Sequence, residues 1–235
     1  MRMLDLLNAQ YTRDSIGRAT AKWNAFALED AIAYLNFCGA VVRTPEEWKD
    51  SPQGRALTNT PPIVIKKIGE APPLRLNDSG NPLDGVRVLD LTRVLAGPTC
   101  GRTLASYGAD VLHVRAERLD TIEMFDLDTG QGKRSAFLDL IKTADAETLR
   151  RLMRDAHVFV DSYRPGALAK HGFTPAALAH LSRGITYVSV SCYGSEGPWA
   201  ERRGWEQLAQ SATGIAHEQG LFAAQRKGQR DPNRR

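Results

Sequence analysis

The stretch from Pro82 to Val114 constrains the fold more than any other part of this 235-residue chain. Val86, Val88, Leu89 and Leu91 form a dense apolar run of strand length, followed by the small turn residues Ala96-Gly97-Pro98. Pro98 suits the first helical position, where its missing N–H has no partner to lose. Gly108 reads as a left-handed helix stop, and Gly108-Ala-Asp-Val-Leu-His-Val114 brings in a second strand. Strand, turn, helix and strand in this order make a parallel crossover, and open α/β sheets bind ligands beyond the carboxyl ends of their strands. The loop Thr92 to Pro98 is therefore the first place to expect a site.

The same alternation continues. Strands are expected near 86–91, 110–114, 135–140, 157–161 and 185–191, and helices near 98–107, 145–155, 175–182 and 204–213. Thr174-Pro175 is an N-cap followed by a proline start signal. The pattern predicts an α/β fold, a Rossmann-like open and mostly parallel sheet with helices on both faces, preceded by a small helical segment. No G-x-G-x-x-G follows the first strand and no G-x-x-x-x-G-K-[ST] occurs, so no NAD, flavin or P-loop phosphate cradle is expected.

Four segments are expected. Residues 1–69 read as mainly helical: Leu28, Ile32 and Leu35 share a face over 27–37, with Gly39 as a stop, and Thr44-Pro45-Glu46-Glu47 is a capping-box start. Ile63-Val64-Ile65 reads as a strand within it. Residues 70–82, with prolines and glycines among Asn, Asp and Ser, read as a linker. Residues 83–220 form the Rossmann-like part, and 221–235 a basic, disordered tail.

Charge and cysteine usage narrow the function classes. The formal net charge of +4 resides in the last ten residues, which hold five Lys/Arg and one Asp, so the rest is neutral and a nucleic-acid partner is not expected. No apolar run reaches membrane-spanning length and the start is unlike a signal peptide, so a cytoplasmic protein without a membrane partner is expected. Cys38, Cys100 and Cys192 are odd in number and far apart, which suggests neither a disulfide framework nor a metal site. They read as small buried hydrophobes.

The segments "PLDGVRVLDLTRVLAGP", "GADVLHV", "GKRSAFLDL", "VFVDSYRPGAL", "GITYVSVSCYG" and "GPWAERRGWEQLAQSATG" occur in this order over roughly 82–220. Together they resemble the class III (CaiB/BaiF-type) CoA-transferase family. The resemblance implies coenzyme A or acyl-CoA as substrate, a carboxylic acid as the second substrate, and an interlocked homodimer or pairing with a full-length homologue. It implies Val94, Leu95 and Ala96 as CoA contacts, the latter two at the pantetheine end. Leu138, Asp139 and Leu140 fall near the nucleotide, Ser162, Tyr163 and Arg164 along the arm, and Lys170 and Arg203 near phosphate or arm. Glu206 matches an acidic position near the family's active site. As residues alone, Leu138 and Leu140 read equally as core, Lys170 and Arg203 as solvated charges, and Glu206 as a helix-dipole partner.

The departures also carry expectations. Family members place a Glu and an Arg or Lys directly after the second strand, where this chain has Arg115-Ala116-Glu117-Arg118. Racemases of the superfamily place a His where this chain has Trp205, which offers no basic nitrogen for α-proton exchange. The family's nucleophilic Asp lies some distance beyond the Glu206 position, and Asp231 sits in a polar tail unlike that motif. "ALEDAIAYLNFCGAVVRTPEEW" resembles the C-terminal part of a family member placed ahead of a second copy. The expectation is thus a truncated or tandem-derived member that is incomplete as a transferase, with a catalytically inactive CoA-binding or scaffold paralogue as the alternative.

Overall fold

The computed structural model describes residues 3–76 and 80–228, and the C-terminal stretch holding Asp231 lies outside them. The described residues divide into two compact units, one of residues up to Pro62 together with those from Cys192, the other Ile63–Ser191. The segment from Cys192 thus groups with the N-terminal helices and not with the sheet, a division that does not follow the linker chemistry of 70–82.

In the first unit the helices are α1 (Met3–Leu7), α2 (Arg13–Thr20), α3 (Ala25–Tyr34), α4 (Pro45–Asp50) and α5 (Pro52–Leu57). Asn24 caps α3, and the helix ends before Asn36, whose φ of 60° turns the chain, so the stop comes ahead of Gly39. Thr44 makes the expected capping box: its hydroxyl accepts from Glu47 N–H, and the Glu47 carboxylate accepts from Thr44 N–H. Buried Glu29 takes both terminal nitrogens of Arg43, whose guanidinium also lies over the Trp199 ring. Wholly buried Gln53 bonds the backbone at Tyr193, Glu196 and Trp199, tying the N-terminal helices to the later segment.

The second unit is the α/β part. It contains β1 (Arg87–Leu91), α6 (Ala96–Ser106), β2 (Asp110–Arg115), α7 (Glu123–Thr129) and β3 (Lys133–Phe137). There follow α8 (Thr143–Met153), β4 (Val158–Asp161), α9 (Pro175–Leu181) and β5 (Thr186–Ser189). The strands form one all-parallel sheet in the order β3-β2-β1-β4-β5. Alternation along β1 divides its side chains between two cores. Val88 faces α6 with Val111, Val160, Leu104 and Ala105. Leu89 and Leu91 face the opposite side with Leu149 and Met153 of α8, Phe159 and Leu178 of α9. Helices on both faces are what a parallel sheet requires.

Several expectations are corrected. Ile63-Val64-Ile65 forms no strand; Ile65 is 93% exposed, because β-branched residues favour extended backbone but only a sheet partner makes a strand. The strand expected over 135–140 runs 133–137, so Leu138 and Leu140 lie beyond its end and pack their side chains against the core. Helix α7 was not anticipated. Residues 221–228, expected within a disordered tail, continue a helix, α11 (Ile215–Gly228), that follows α10 (Glu206–Thr213) in the first unit.

Candidate functional site

The sheet order makes β1 and β4 neighbours whose connections leave in opposite directions. This is the topological switch point, where open α/β sheets accept ligands beyond the strands' carboxyl ends.

On the β1 side the loop Thr92–Leu95 is anchored by Asp90, which alternation turns toward α6. Asp90 is wholly buried; its Oδ1 accepts from the Thr92 backbone N–H at 3.1 Å and from the Thr92 hydroxyl. Its Oδ2 accepts from the Lys133 ammonium at 2.7 Å, and Lys133 also donates to the Pro98 carbonyl at 2.7 Å. Buried His113 of β2 has its Nε2 3.0 Å from the Thr92 carbonyl. A carbonyl only accepts, so Nε2 carries the proton there. Val94, held between these anchors, has a φ of 71°. A β-branched residue in that region is strained by about 1–3 kcal/mol, and such strain clusters at ligand sites. Helix α6 begins at once, with no side chain capping its first turn.

On the β4 side, buried Asp161 accepts from the Tyr163 N–H at 2.7 Å and the Tyr187 hydroxyl at 2.9 Å. Burial pushes the Asp161 carboxyl above its ordinary range, against the pull of those two bonds. Ser162 Oγ accepts from the Arg93 N–H at 3.0 Å, which joins the two loops. A Cβ on Gly97 would stand 2.6 Å from Thr92 Cβ and 2.9 Å from Ser162 Cβ. Gly97 is itself buried, so its lack of a side chain serves the packing of α6 on these loops, and exposed Ala96 is the residue open to a ligand. The Tyr163 phenol is pushed up by burial, while Arg93 and Arg118 act from nearby to lower it.

Two strands over, Arg118 Nε lies 3.1 and 3.0 Å from the two oxygens of Asp139. The hydrogen bond from Arg118 holds the Asp139 carboxyl below its usual range. Arg115 bonds Asp126 and lies over the Phe137 ring.

The structure therefore brings Val94, Leu95, Ala96, Ser162 and Tyr163 together at the switch point, with Leu138, Asp139 and Leu140 on the same edge just beyond β3. Arg164 and Lys170 are exposed on the segment after β4, Lys170 in a short 3-10 helix, Ala169–His171. Arg203 and Glu206 belong to the other unit and are exposed; Glu206 opens α10 and its carboxylate accepts from Gln210 Nε2. There Trp205 donates its indole N–H to Cys38 Sγ at 3.1 Å. Burial pushes the Cys192 thiol to about 11 and also raises Cys100, so both are protonated at neutral pH and poor nucleophiles. All three cysteines are free and only partly buried, not the buried hydrophobes expected.

Asp90, Arg93, His113, Arg118 and Lys133 had not been singled out. Their roles come from partners 21 to 69 residues away, and only the alternation along β1 hints that a buried Asp90 needs one. Among the described residues there is no group of three or more His, Cys, Asp or Glu placed to hold a metal ion, and no helix long and apolar enough to cross a membrane.

A parallel sheet covered by helices on both faces, with a topological switch point between β1 and β4, defines an open α/β protein. Residues 83–230 match CoA-transferase family III, and the chain belongs to that family. It is 34% identical over 218 residues to an acyl-CoA transferase of Gibberella moniliformis, covering 88% of this chain and 38% of that protein. A succinate–glutarate CoA-transferase of Agrobacterium fabrum is 34% identical over 152 residues, 57% of this chain and 38% of that one. The chain thus spans well under half the length of either relative. A CaiB/BaiF family protein from Brucella suis, solved by crystallography, superposes with a TM-score of 0.52 at 27% identity, over 63% of this chain and 51% of that one.

Proposed function

We propose that the carboxyl edge formed by Val94–Ala96 and Ser162–Tyr163 binds the CoA part of an acyl-CoA, and that the chain serves CoA transfer between an acyl-CoA and a carboxylic acid. The observation that carries this reading is the strained Val94 at the uncapped start of α6, next to Arg93, whose N–H bonds Ser162 across the switch point. Backbone amides at such a turn suit the amides of a pantetheine arm, and small Ala96 permits close approach. Arg118, Arg164 and Lys170 are cations of this edge and its flank, suited to the phosphates, whereas the Arg93 guanidinium donates to the Asp120 carbonyl. Asp139, already paired with Arg118, orients that guanidinium and does not itself meet an anion. Arg203 and Glu206 are proposed as a further phosphate or arm contact and as an acid assisting acyl transfer. Proton exchange at the α-carbon is not proposed, because the Trp205 indole donates to sulfur and offers no base.

Calorimetric titration of the purified chain with CoA tests the binding. A parallel incubation of acyl-CoA with succinate or glutarate, the acids in the Agrobacterium relative's name, tests transfer. A folded sample that takes up no CoA overturns the proposal; binding without transfer reduces it to a CoA-binding protein.

A further inference from the structure

The side chain of Lys133 is wholly buried, although it comes from a half-exposed strand. Its ammonium reaches from β3 past β2 to the carboxylate of Asp90 on β1, and equally to the carbonyl of Pro98 in the first turn of α6. Both side chains of the pair are 0% exposed. Such a pair is a poor way to add stability, because the desolvation of two ions offsets most of their attraction. Its geometry does something else. Asp90 binds Thr92, the first residue of the loop; Lys133 binds Pro98, just past its end; His113 secures the Thr92 carbonyl from the side. The loop is therefore fixed at both ends by one ion pair. A left-handed valine persists only where its surroundings over-determine it, and Val94 lies between those two fixed ends. The α6 side leaves just enough room: a Cβ on Gly101 would stand within 2.9 Å of Lys133 Nζ and closer still to Asp90 Oδ2.

We infer that Lys133 is a positioning residue for the CoA-binding loop, holding Val94–Ala96 and the first turn of α6 in the register that receives the pantetheine arm. The inference rests on the proposed CoA site, and its action is local: it places the arm-binding backbone and not the phosphate contacts.

The test uses Lys133→Met, which keeps length but removes the donors, and the double variant Lys133→Met with Asp90→Asn, which also removes the orphaned buried charge. The single variant is expected to lose thermal stability and the double to regain most of it. Both are expected to bind CoA weaker by about tenfold or more, the scale of a misplaced binding element. Binding of adenosine 3′,5′-diphosphate, which has no pantetheine, is expected to stay within roughly twofold on the same scale. Amide hydrogen exchange over residues 92–101 should quicken in the double variant while β2 and β4 keep their protection. Recovery of CoA affinity in the double variant, equal losses for both ligands, or unchanged exchange at 92–101 would each overturn the inference. Wild-type protein that binds neither ligand overturns the CoA reading itself, and the exchange measurement still decides whether Lys133 holds the loop.

Discussion

The carboxyl edge depends on two aspartates that do the same local job with different partners. Asp90, next to last in β1, and Asp161, last in β4, each accept the backbone N–H two residues on, which starts the turn. Asp90 meets a lysine, whereas Asp161 meets only a tyrosine hydroxyl, and its pKa is raised by burial. A raised folded pKa means that the native state holds its proton longer than the unfolded chain, so this contribution to stability is full below about pH 4 and is lost as pH rises through the folded value. Asp161→Asn mimics the neutral form. The Tm of the wild type should therefore fall relative to that of Asp161→Asn as pH rises from 4 to 7; a constant difference would mean that Asp161 titrates normally. Glycine substitutions give a second residue-scale contrast. Alanine is better than glycine inside a helix by about 1 kcal/mol, and Gly17 in α2 has open space around its missing Cβ. Gly17→Ala should stabilise by roughly that amount. Gly101→Ala carries the same helix benefit but drives a methyl into the Asp90–Lys133 pair, an overpacking penalty of about 1–3 kcal/mol. Urea unfolding should show opposite signs for the two.

Elements read from sequence held where the signal was local. The Thr44 capping box is complete at both bonds, 3.1 and 2.8 Å, and Thr44→Ala should lower unfolding free energy by about 1 kcal/mol, measurable by urea denaturation. The apolar runs of β1, β2 and β4 were legible because each is buried on both faces, and the left-handed Gly108 marked the end of α6. Signals failed where an element depends on what it meets. Ile63-Val64-Ile65 carries strand propensity but pairs with nothing, and α7, Glu-Met-Phe-Asp-Leu-Asp-Thr, is short, acidic and exposes Met124 and Leu127, so no apolar face announced it. The site divides likewise. The small residues that open α6 and the turn after β4 are visible in the sequence at strand ends. The buried lysine that fixes the first of them is not, because Lys133 sits in a strand of polar, half-exposed pattern and its partner is 43 positions away. Val94's conformation could not be read at all, since nothing about a valine suggests positive φ. Val94→Gly should relieve that strain, offset by glycine's backbone entropy of about 0.5–1 kcal/mol. Stability should therefore change little while CoA affinity falls, and a calorimetric titration that finds affinity unchanged would remove Val94 from the site.

For the whole molecule, the question is whether ligand and fold report on the same structure. A ligand that binds only the native state stabilises it by an amount set by its concentration over Kd, about 2.7 kcal/mol at a hundredfold excess. If CoA occupies the carboxyl edge of the sheet, that gain must appear in the unfolding of Ile63–Ser191, whose anchors Asp90, Lys133 and Asp161 all lie within it. A change at Thr44 lies in the other unit and shares no partner with those anchors. Effects at sites without shared partners add within about 0.3–0.5 kcal/mol. Thr44→Ala should thus lower stability by the same amount with and without CoA at that excess, whereas Lys133→Met, binding about tenfold weaker, should lose about half of the gain that CoA gives. Differential scanning calorimetry of the two variants, each with and without CoA, separates these outcomes. A CoA-dependent gain that Thr44→Ala abolishes would move the binding determinant out of the sheet and into the unit that carries Arg203 and Glu206.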